Sequence, residues 1–235
     1  MHGDNYFLTT SLPSLGELGS SPPISLVDLL EKLKINPRAS RLVAAVVLPD
    51  DLIQWQALAA GEITEPAPAV LSAAQIRNEA PLPDFLGVAE PGLTGRAVLA
   101  DGVWSGYYRY AFDLAGRLAS KFLTDWTVLD VSLKNALAQA RSAALGLDSR
   151  RYIVLPELSH DLKEFDELII TWSAAPDPLA GLKVVDAYRW DWLKRHDGYY
   201  TFSDDELAAY SARLMLLHRW SRLTQARQAR EHLTN

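Results

Sequence analysis

Cysteine is absent from the 235 residues, which excludes disulfide frameworks, cysteine nucleophiles and thiolate zinc sites. The five histidines never stand four residues apart, and none belongs to an HExxH pattern. The GxSxG nucleophile motif and the glycine-rich phosphate-binding motifs are also missing. These absences predict a protein that is not an enzyme and that holds neither a metal nor a cofactor.

Long apolar runs and excess positive charge are lacking too. No run approaches the roughly 18 to 20 apolar residues that span a bilayer. The first residues also lack the basic start and following apolar stretch that indicate a signal peptide. The net charge of −6 disfavours binding to nucleic acid or to an anionic membrane. The arginines between Arg213 and Arg230 scatter around a helix, which favours a solvated or partner-facing surface. We expect a soluble, cytoplasmic protein with no nucleic-acid partner and no direct membrane insertion.

Apolar side chains, by contrast, are plentiful. Hydrophobic residues make up 49% of the chain and include seven tryptophans, which suffices for a substantial core. From Gly106 to Leu147 there is no proline, and apolar residues recur every three or four positions, as in amphipathic helices. This central stretch predicts either one long helix or a helical hairpin, with Thr124 and Asp125 as the cap of its second helix.

The flanking segments follow the same helical period. Leu26 begins one amphipathic helix, Pro37 suits the start of a second, and Pro49 suits the start of a third. The residues from Ser203 to Glu206 predict a capping box before the last helix, with Ser203 at the cap and Glu206 at the N3 position. Residues 5–13 are aromatic and β-branched and predict a short extended segment or a short irregular entry. The fold class is therefore predicted to be all-α, with amphipathic helices around the central stretch.

Five of the prolines fall between residues 62 and 91, and they divide the chain. The sequence predicts a small helical unit over 1–61, a Pro-rich irregular connection over 62–100 and a main helical domain over 101–235, or one continuous domain. The connection suits a spacer or a docking surface. The repeated Gly-Tyr-Tyr at Gly106 and Gly198, each before a long helix, is compatible with two related lobes.

Several polar and aromatic residues are candidates for structural or docking roles. Asp130 and Lys134 have the spacing of a surface ion pair, and Asn135 follows at the margin of the apolar stripe. Asp186 and Arg189, three apart on an otherwise apolar face, predict an internal ion pair. The tryptophans in the same group are Trp190, Trp192 and Trp220.

Several stretches, taken in order, resemble a small bacterial family encoded beside subunits of V-type ATPases. They are YFLTTSLPSL, PPISLVDLL, FLTDWTVLDVSLKNALAQARSAALGLD, DAYRWDWL, GYYTFS and LAAYSARLMLLHRW, and together they cover most of the chain. That family is in turn more remotely similar to the C-type stalk component, also called the d-type component, of V-type and archaeal-type ATPases. The C-type component is an all-helical socket between the rotor shaft and the membrane ring.

The resemblance implies an all-α protein, similar to the C-type component and without catalytic activity. It would be an accessory or central-stalk component of a complex for proton or other ion transport, with the rotor shaft and the membrane ring as partners. The protein would then be peripheral to the membrane through that complex. Two alternatives stay open: a transient assembly factor of the same machine, and a helical enzyme with a dispersed site built from Asp130, Asp186, Arg189 and His196.

Overall fold

The computed structural model describes residues 2–87 and 96–233, with side chains over 5–87 and 100–228. Within these ranges the chain is all-α, as predicted, and contains no strand. The helices are α1 (His2–Ser11), α2 (Leu26–Lys32), α3 (Pro37–Ala60), α4 (Ala73–Ile76), α5 (Arg96–Arg117), α6 (Lys121–Ala144), α7 (Asp166–Ser173), α8 (Pro178–Arg195) and α9 (Asp204–Leu233). Short 3₁₀ turns lie between several of them.

Two compact units divide the chain. One comprises Met1–Leu82 and Trp190–Asn235, and the other comprises Pro83–Arg189. The first unit holds α1 to α4 with α9, and the second holds α5 to α7 with most of α8. The sequence-based division groups α9 with everything after residue 100, whereas the contacts group it with the N-terminal helices, because α9 packs along α3.

The predicted extended segment near the N-terminus is wrong, because residues His2–Ser11 form the helix α1. The hydroxyl of Thr10 donates to the carbonyl of Tyr6 at 2.7 Å, within the helix itself. Leu8 is 2% exposed, and the Asn5 side chain donates to Asp204 at 2.8 Å. These tertiary contacts outweigh the weak strand preference of the β-branched residues.

Helix α3 runs unbroken through Pro49, so the predicted start of a separate helix at this proline is wrong. Leu42, Val46 and Leu52 are among its many fully buried side chains, and this packing sustains the helix across the proline. By length and composition α3 could cross a membrane, a test that core helices of soluble proteins also pass. Of its most apolar window, 67% is buried within the protein.

The Pro-rich segment is tied to α3 by buried polar side chains. The Asp51 carboxylate, 0% exposed, accepts the backbone N–H groups of residues 69, 70 and 71 at 2.7–2.8 Å. The Gln54 side chain accepts the N–H of Ala67 at 2.7 Å, and the Trp55 indole donates to Asn78 at 2.8 Å. The short helix α4 lies within this segment. The described part of this segment is therefore part of the packed structure.

The central stretch forms two helices, α5 and α6, which pack against each other. Ala119 adopts a left-handed conformation with φ of 45° between them, and the Ser120 hydroxyl accepts the N–H of Leu123 at 3.1 Å. The helical hairpin is therefore the correct alternative, but its cap is Ser120. Thr124 and Asp125 lie inside α6.

The two Gly-Tyr-Tyr sequences are not structural equivalents. Gly106 lies inside α5, where a Cβ atom would stand 2.7 Å from the carbonyl oxygen of Phe85, and Tyr107 and Tyr108 are buried. Gly198 has φ of 61° and begins a loop that leaves Tyr200 80% exposed. Close packing requires a glycine at Gly106, whereas the positive φ favours a glycine at Gly198. The repeat therefore does not mark related lobes.

The cap predicted for the last helix is present, since the Ser203 hydroxyl accepts the N–H of Glu206 at 3.2 Å. The Glu206 carboxylate bonds the segment that precedes α9. It accepts the backbone N–H groups of Tyr200 and Phe202 at 3.1 and 2.6 Å. Glu206 thus fixes the aromatic loop before α9.

Candidate functional site

A buried ion network joins helices α6 and α8 in the second unit. The Arg189 guanidinium donates to Asp130 at 2.6 and 3.1 Å and to Asp186 at 2.8 Å. The side chains of Arg189, Asp130 and Asp186 are 10%, 12% and 0% exposed. The internal pair of Asp186 and Arg189 is therefore present, as predicted, and Asp130 is a third member that the spacing does not indicate.

Helix α5 joins the same network through Tyr108. Its hydroxyl donates to the second oxygen of Asp130 at 2.5 Å, a length typical of a charge-assisted hydrogen bond. Both oxygens of Asp130 therefore have partners, and one carboxylate connects three helices. Such full satisfaction is what makes a buried charge tolerable.

The electrostatics fix the ionisation of this network. Burial acts to raise the pKa of Asp130, but the charges of Arg189 and Lys134 and the hydrogen bond from Tyr108 outweigh it and lower that pKa to about 2. Burial acts to lower the pKa of Arg189, yet Asp130 and Asp186 raise it above its usual value. Burial, followed by the charge of Asp130, raises the pKa of Tyr108 well above 10. General acid–base catalysis needs a pKa near the working pH, and these groups are far from neutrality.

Lys134 lies beside the network. Its amino group stands 3.1 Å from the ring centroid of Trp104 and 5.0 Å from that of Tyr108. The predicted surface pair of Asp130 and Lys134 is wrong in its setting, because Asp130 is buried. Lys134 makes cation–π contacts with these two rings, and its charge helps to lower the pKa of Asp130.

Asn135 holds a loop against α6. Its side-chain amide donates to the carbonyl of Val154 at 2.8 Å and accepts the N–H of Val154 at 2.9 Å. The sequence places the residue at the margin of the apolar stripe, but it is 1% exposed. It acts as a two-point clamp, which occupies both backbone groups of Val154.

Ser132, which sequence reasoning missed, assists the same loop. Its hydroxyl accepts the backbone N–H of His160 at 2.8 Å and donates to the carbonyl of Val128 at 2.7 Å. Ser132 and Asn135 stand three residues apart, so they lie on one helix face. Two polar residues three positions apart within a largely apolar helical stretch are the sequence signal that could have identified this contact.

The candidate tryptophans take packing positions. Trp190 and Trp192 are 4% and 9% exposed, and Trp220 on α9 is half-buried. Trp192 stacks on His196 with ring centroids 3.9 Å apart, and the Nδ1 of His196 lies 2.8 Å from the Trp192 carbonyl oxygen. The structure thus brings Asp130, Asp186 and Arg189 together, whereas His196 is engaged with Trp192.

Metal-binding clusters are absent from the part of the chain that the structure describes, where no three histidine or acidic side chains come together to hold an ion. No protein-family model, curated protein or solved structure matches the chain. On the described residues, α6 thus takes part in a buried ion network with α5 and α8, and Asn135 on the same helix clamps the loop beside it.

Proposed function

We propose that this protein is a non-catalytic accessory or central-stalk component of a bacterial V-type ATPase, similar to the C-type component. One observation carries the proposal together with the resemblance in sequence. Asp130 and Asn135, polar residues of the stretch FLTDWTVLDVSLKNALAQARSAALGLD that carries part of the resemblance, are engaged inside the protein, where they join helices and hold a loop. Residues that fix a shape suit a component that acts by its shape.

The proposed mechanism is mechanical coupling. A stalk component transmits torque only when it does not deform, so its helices need connections that resist sliding. The network around Arg189 supplies such connections among α5, α6 and α8, because charge-assisted hydrogen bonds fix direction as well as distance. The protein would hold the rotor shaft on one side and rest on the membrane ring on the other, peripheral to the membrane.

Affinity purification of the tagged protein from its native host in mild detergent tests the proposal. We expect the ATPase subunits to co-purify at a fixed ratio to the tagged protein, and to be absent when an unrelated tagged protein is used. Failure to recover any ATPase subunit would contradict the proposal. Recovery far below one copy per complex would favour the transient assembly factor.

The helical-enzyme alternative has weaker support. Its expected site includes Asp130, Asp186, Arg189 and His196. The first three of these side chains already form ion pairs with one another. The low pKa of Asp130 also keeps its carboxylate charged at neutral pH. A charged, fully hydrogen-bonded carboxylate has little capacity to exchange protons with a substrate.

A further inference from the structure

The segment that follows α6 exposes three large apolar side chains within eight residues. Leu145 is 71% exposed, Leu147 is 47% exposed and Tyr152 is 46% exposed. Single exposed apolar residues are ordinary, but a group of them on one surface marks an interaction site. We call residues 145–152 the 145–152 surface.

The backbone of this surface is held in place, so the exposure is built into the fold. The N–H of Leu147 donates to the carbonyl of Ser142 at 2.8 Å, and Gly146 takes the left-handed conformation, with φ of 67°, that ends α6. The Asp148 carboxylate caps the next turn by accepting the N–H of Arg150 at 3.1 Å. Beyond Tyr152, the Asn135 clamp fixes Val154.

Positively charged residues flank these apolar groups along the chain. Residues 141–152 contain Arg141, Arg150 and Arg151 against Asp148, three positive charges less one negative, a local net of +2, in a chain of net charge −6. Arg150 is paired with Asp148. Arg141 is exposed and lies 5.2 Å from the Trp172 ring centroid, and Arg151 is exposed. The surface is therefore apolar and cationic.

We propose that the 145–152 surface docks an acidic amphipathic helix of a partner protein. The apolar face of that helix would cover Leu145, Leu147 and Tyr152, while its carboxylates would face Arg141 and Arg151. A protein partner is favoured over an anionic bilayer, because an extended bilayer also faces the rest of the chain and its net negative charge, whereas one acidic helix faces the 145–152 surface alone. The proposal deepens the proposed function and rests on it for the identity of the partner, which would be another protein of the ATPase.

Site-specific photo-crosslinking in the native host tests this proposal on the full chain. Benzoylphenylalanine replaces Tyr152, so one aromatic side chain substitutes for another. A matched control carries it at Ile35, which is 60% exposed and lies in the other unit. We expect residue 152 to crosslink to an acidic, amphipathic helical segment, identified by mass spectrometry, and residue 35 not to crosslink to that segment.

Charge reversal supplies the second arm. Arg141→Glu with Arg151→Glu should lower the yield of that crosslink at least tenfold, whereas Arg141→Lys with Arg151→Lys should keep it within about twofold, since Lys retains the charge. Circular dichroism verifies that each variant is folded. If the double variant does not fold, the single variant Arg151→Glu takes its place in the crosslinking test. An unchanged yield after charge reversal would overturn the electrostatic basis of the proposal.

The outcomes separate the two proposals. Crosslinking to an acidic helix of an ATPase protein supports both, and crosslinking to an acidic helix of an unrelated protein supports the surface while contradicting the ATPase assignment. Co-purification of ATPase subunits without a crosslink at residue 152 leaves the proposed function intact and overturns the docking surface. Crosslinking to lipid, or to a basic or neutral segment, also overturns it.

Discussion

At the residue scale, the decisive feature is that one carboxylate serves three helices. Asp130 on α6 accepts from Arg189 on α8 and from Tyr108 on α5. A buried charge is costly alone and tolerable when fully paired. Removing any one partner should therefore cost more than the partner contributes on its own, because the remaining groups stay buried.

Asp130→Asn should lower the free energy of unfolding by about 3 kcal/mol, because Arg189 loses a buried countercharge. Tyr108→Phe should cost about 2 kcal/mol, the value of a hydrogen bond to a charged group. Urea titration followed by circular dichroism measures both changes. Asp113→Asn, at an exposed position on α5, is the control and should change the free energy by less than about 0.5 kcal/mol. Equal stability of Asp130→Asn and wild type would contradict the structural role of the network.

The same residue predicts a dependence on acid. The pKa of Asp130 is lowered from 3.8 to about 2 in the folded protein, so its contribution to stability is complete above about pH 4 and is lost as the pH falls towards 2. Burial raises the pKa of Asp51, which gives a slope of opposite sign. The measurement is therefore the difference in unfolding free energy between wild type and Asp130→Asn. That difference should be constant from pH 5 to 7 and should shrink from about pH 4 to 2. A difference that stays constant down to pH 2 would contradict the lowered pKa of Asp130.

At the scale of elements, local backbone chemistry decides where the central helices end. α5 and α6 are separated by Ala119, whose φ of 45° is a left-handed conformation that costs a residue with a Cβ atom about 1–2 kcal/mol. Ser120 then starts α6 by accepting the Leu123 N–H. A strained residue and a good cap together make the hairpin.

Ala119→Gly should raise the free energy of unfolding by roughly 0.5–1 kcal/mol, because glycine adopts this conformation without strain. Ala143→Gly is the matched control, since residue 143 is exposed within α6, and it should lower the free energy by about 1 kcal/mol. Thermal unfolding of both variants measures the opposite signs. Destabilisation of similar size in both would show that Ala119 is not strained.

The Asn135 clamp is one of the contacts that hold the loop after α6. Asn135→Ala removes both hydrogen bonds to Val154, and it should raise the hydrogen-exchange rate of the Val154 amide about tenfold, as expected when roughly 1.4 kcal/mol of protection is lost. Gln139→Ala, at an exposed position on the same helix, should leave that rate unchanged. Slow exchange at Val154 in the Asn135 variant would mean that other contacts hold the loop.

At the scale of the whole molecule, charge is unevenly distributed. The chain carries −6 overall, yet residues 141–152 carry +2, which favours one orientation of approach for an acidic partner. The net negative charge of the chain argues against adsorption on anionic surfaces at large.

Salt should therefore weaken docking at the 145–152 surface. Between about 0.05 and about 0.5 M salt the yield of the crosslink from residue 152 in a native lysate should fall severalfold, since screening shortens the range of exposed charges. Circular dichroism over the same range should stay constant, because the buried network around Arg189 is screened much less. A yield that rises with salt would indicate a purely apolar contact.

Local signals in the amino-acid sequence suffice for the fold class and for most helices. Apolar side chains at helical spacing, Pro37 at a helix start and Ser203 at a helix cap are such signals, and the structure agrees with each. The pair of Asp186 and Arg189 is also predictable, since its partners lie on one turn. In each case the information lies within a few residues of chain.

The roles of Asp130, Asn135 and Pro49 depend instead on the folded chain. Asp130 meets an arginine 59 positions away, Asn135 meets a loop 19 positions away, and burial around α3 carries a helix through Pro49. Spacing along one helix identifies a face but not what covers it, so a buried ion and a solvated ion look alike in sequence. Burial is a property of the whole chain, and it converts the same residue types from surface charges into the connections that hold this fold together.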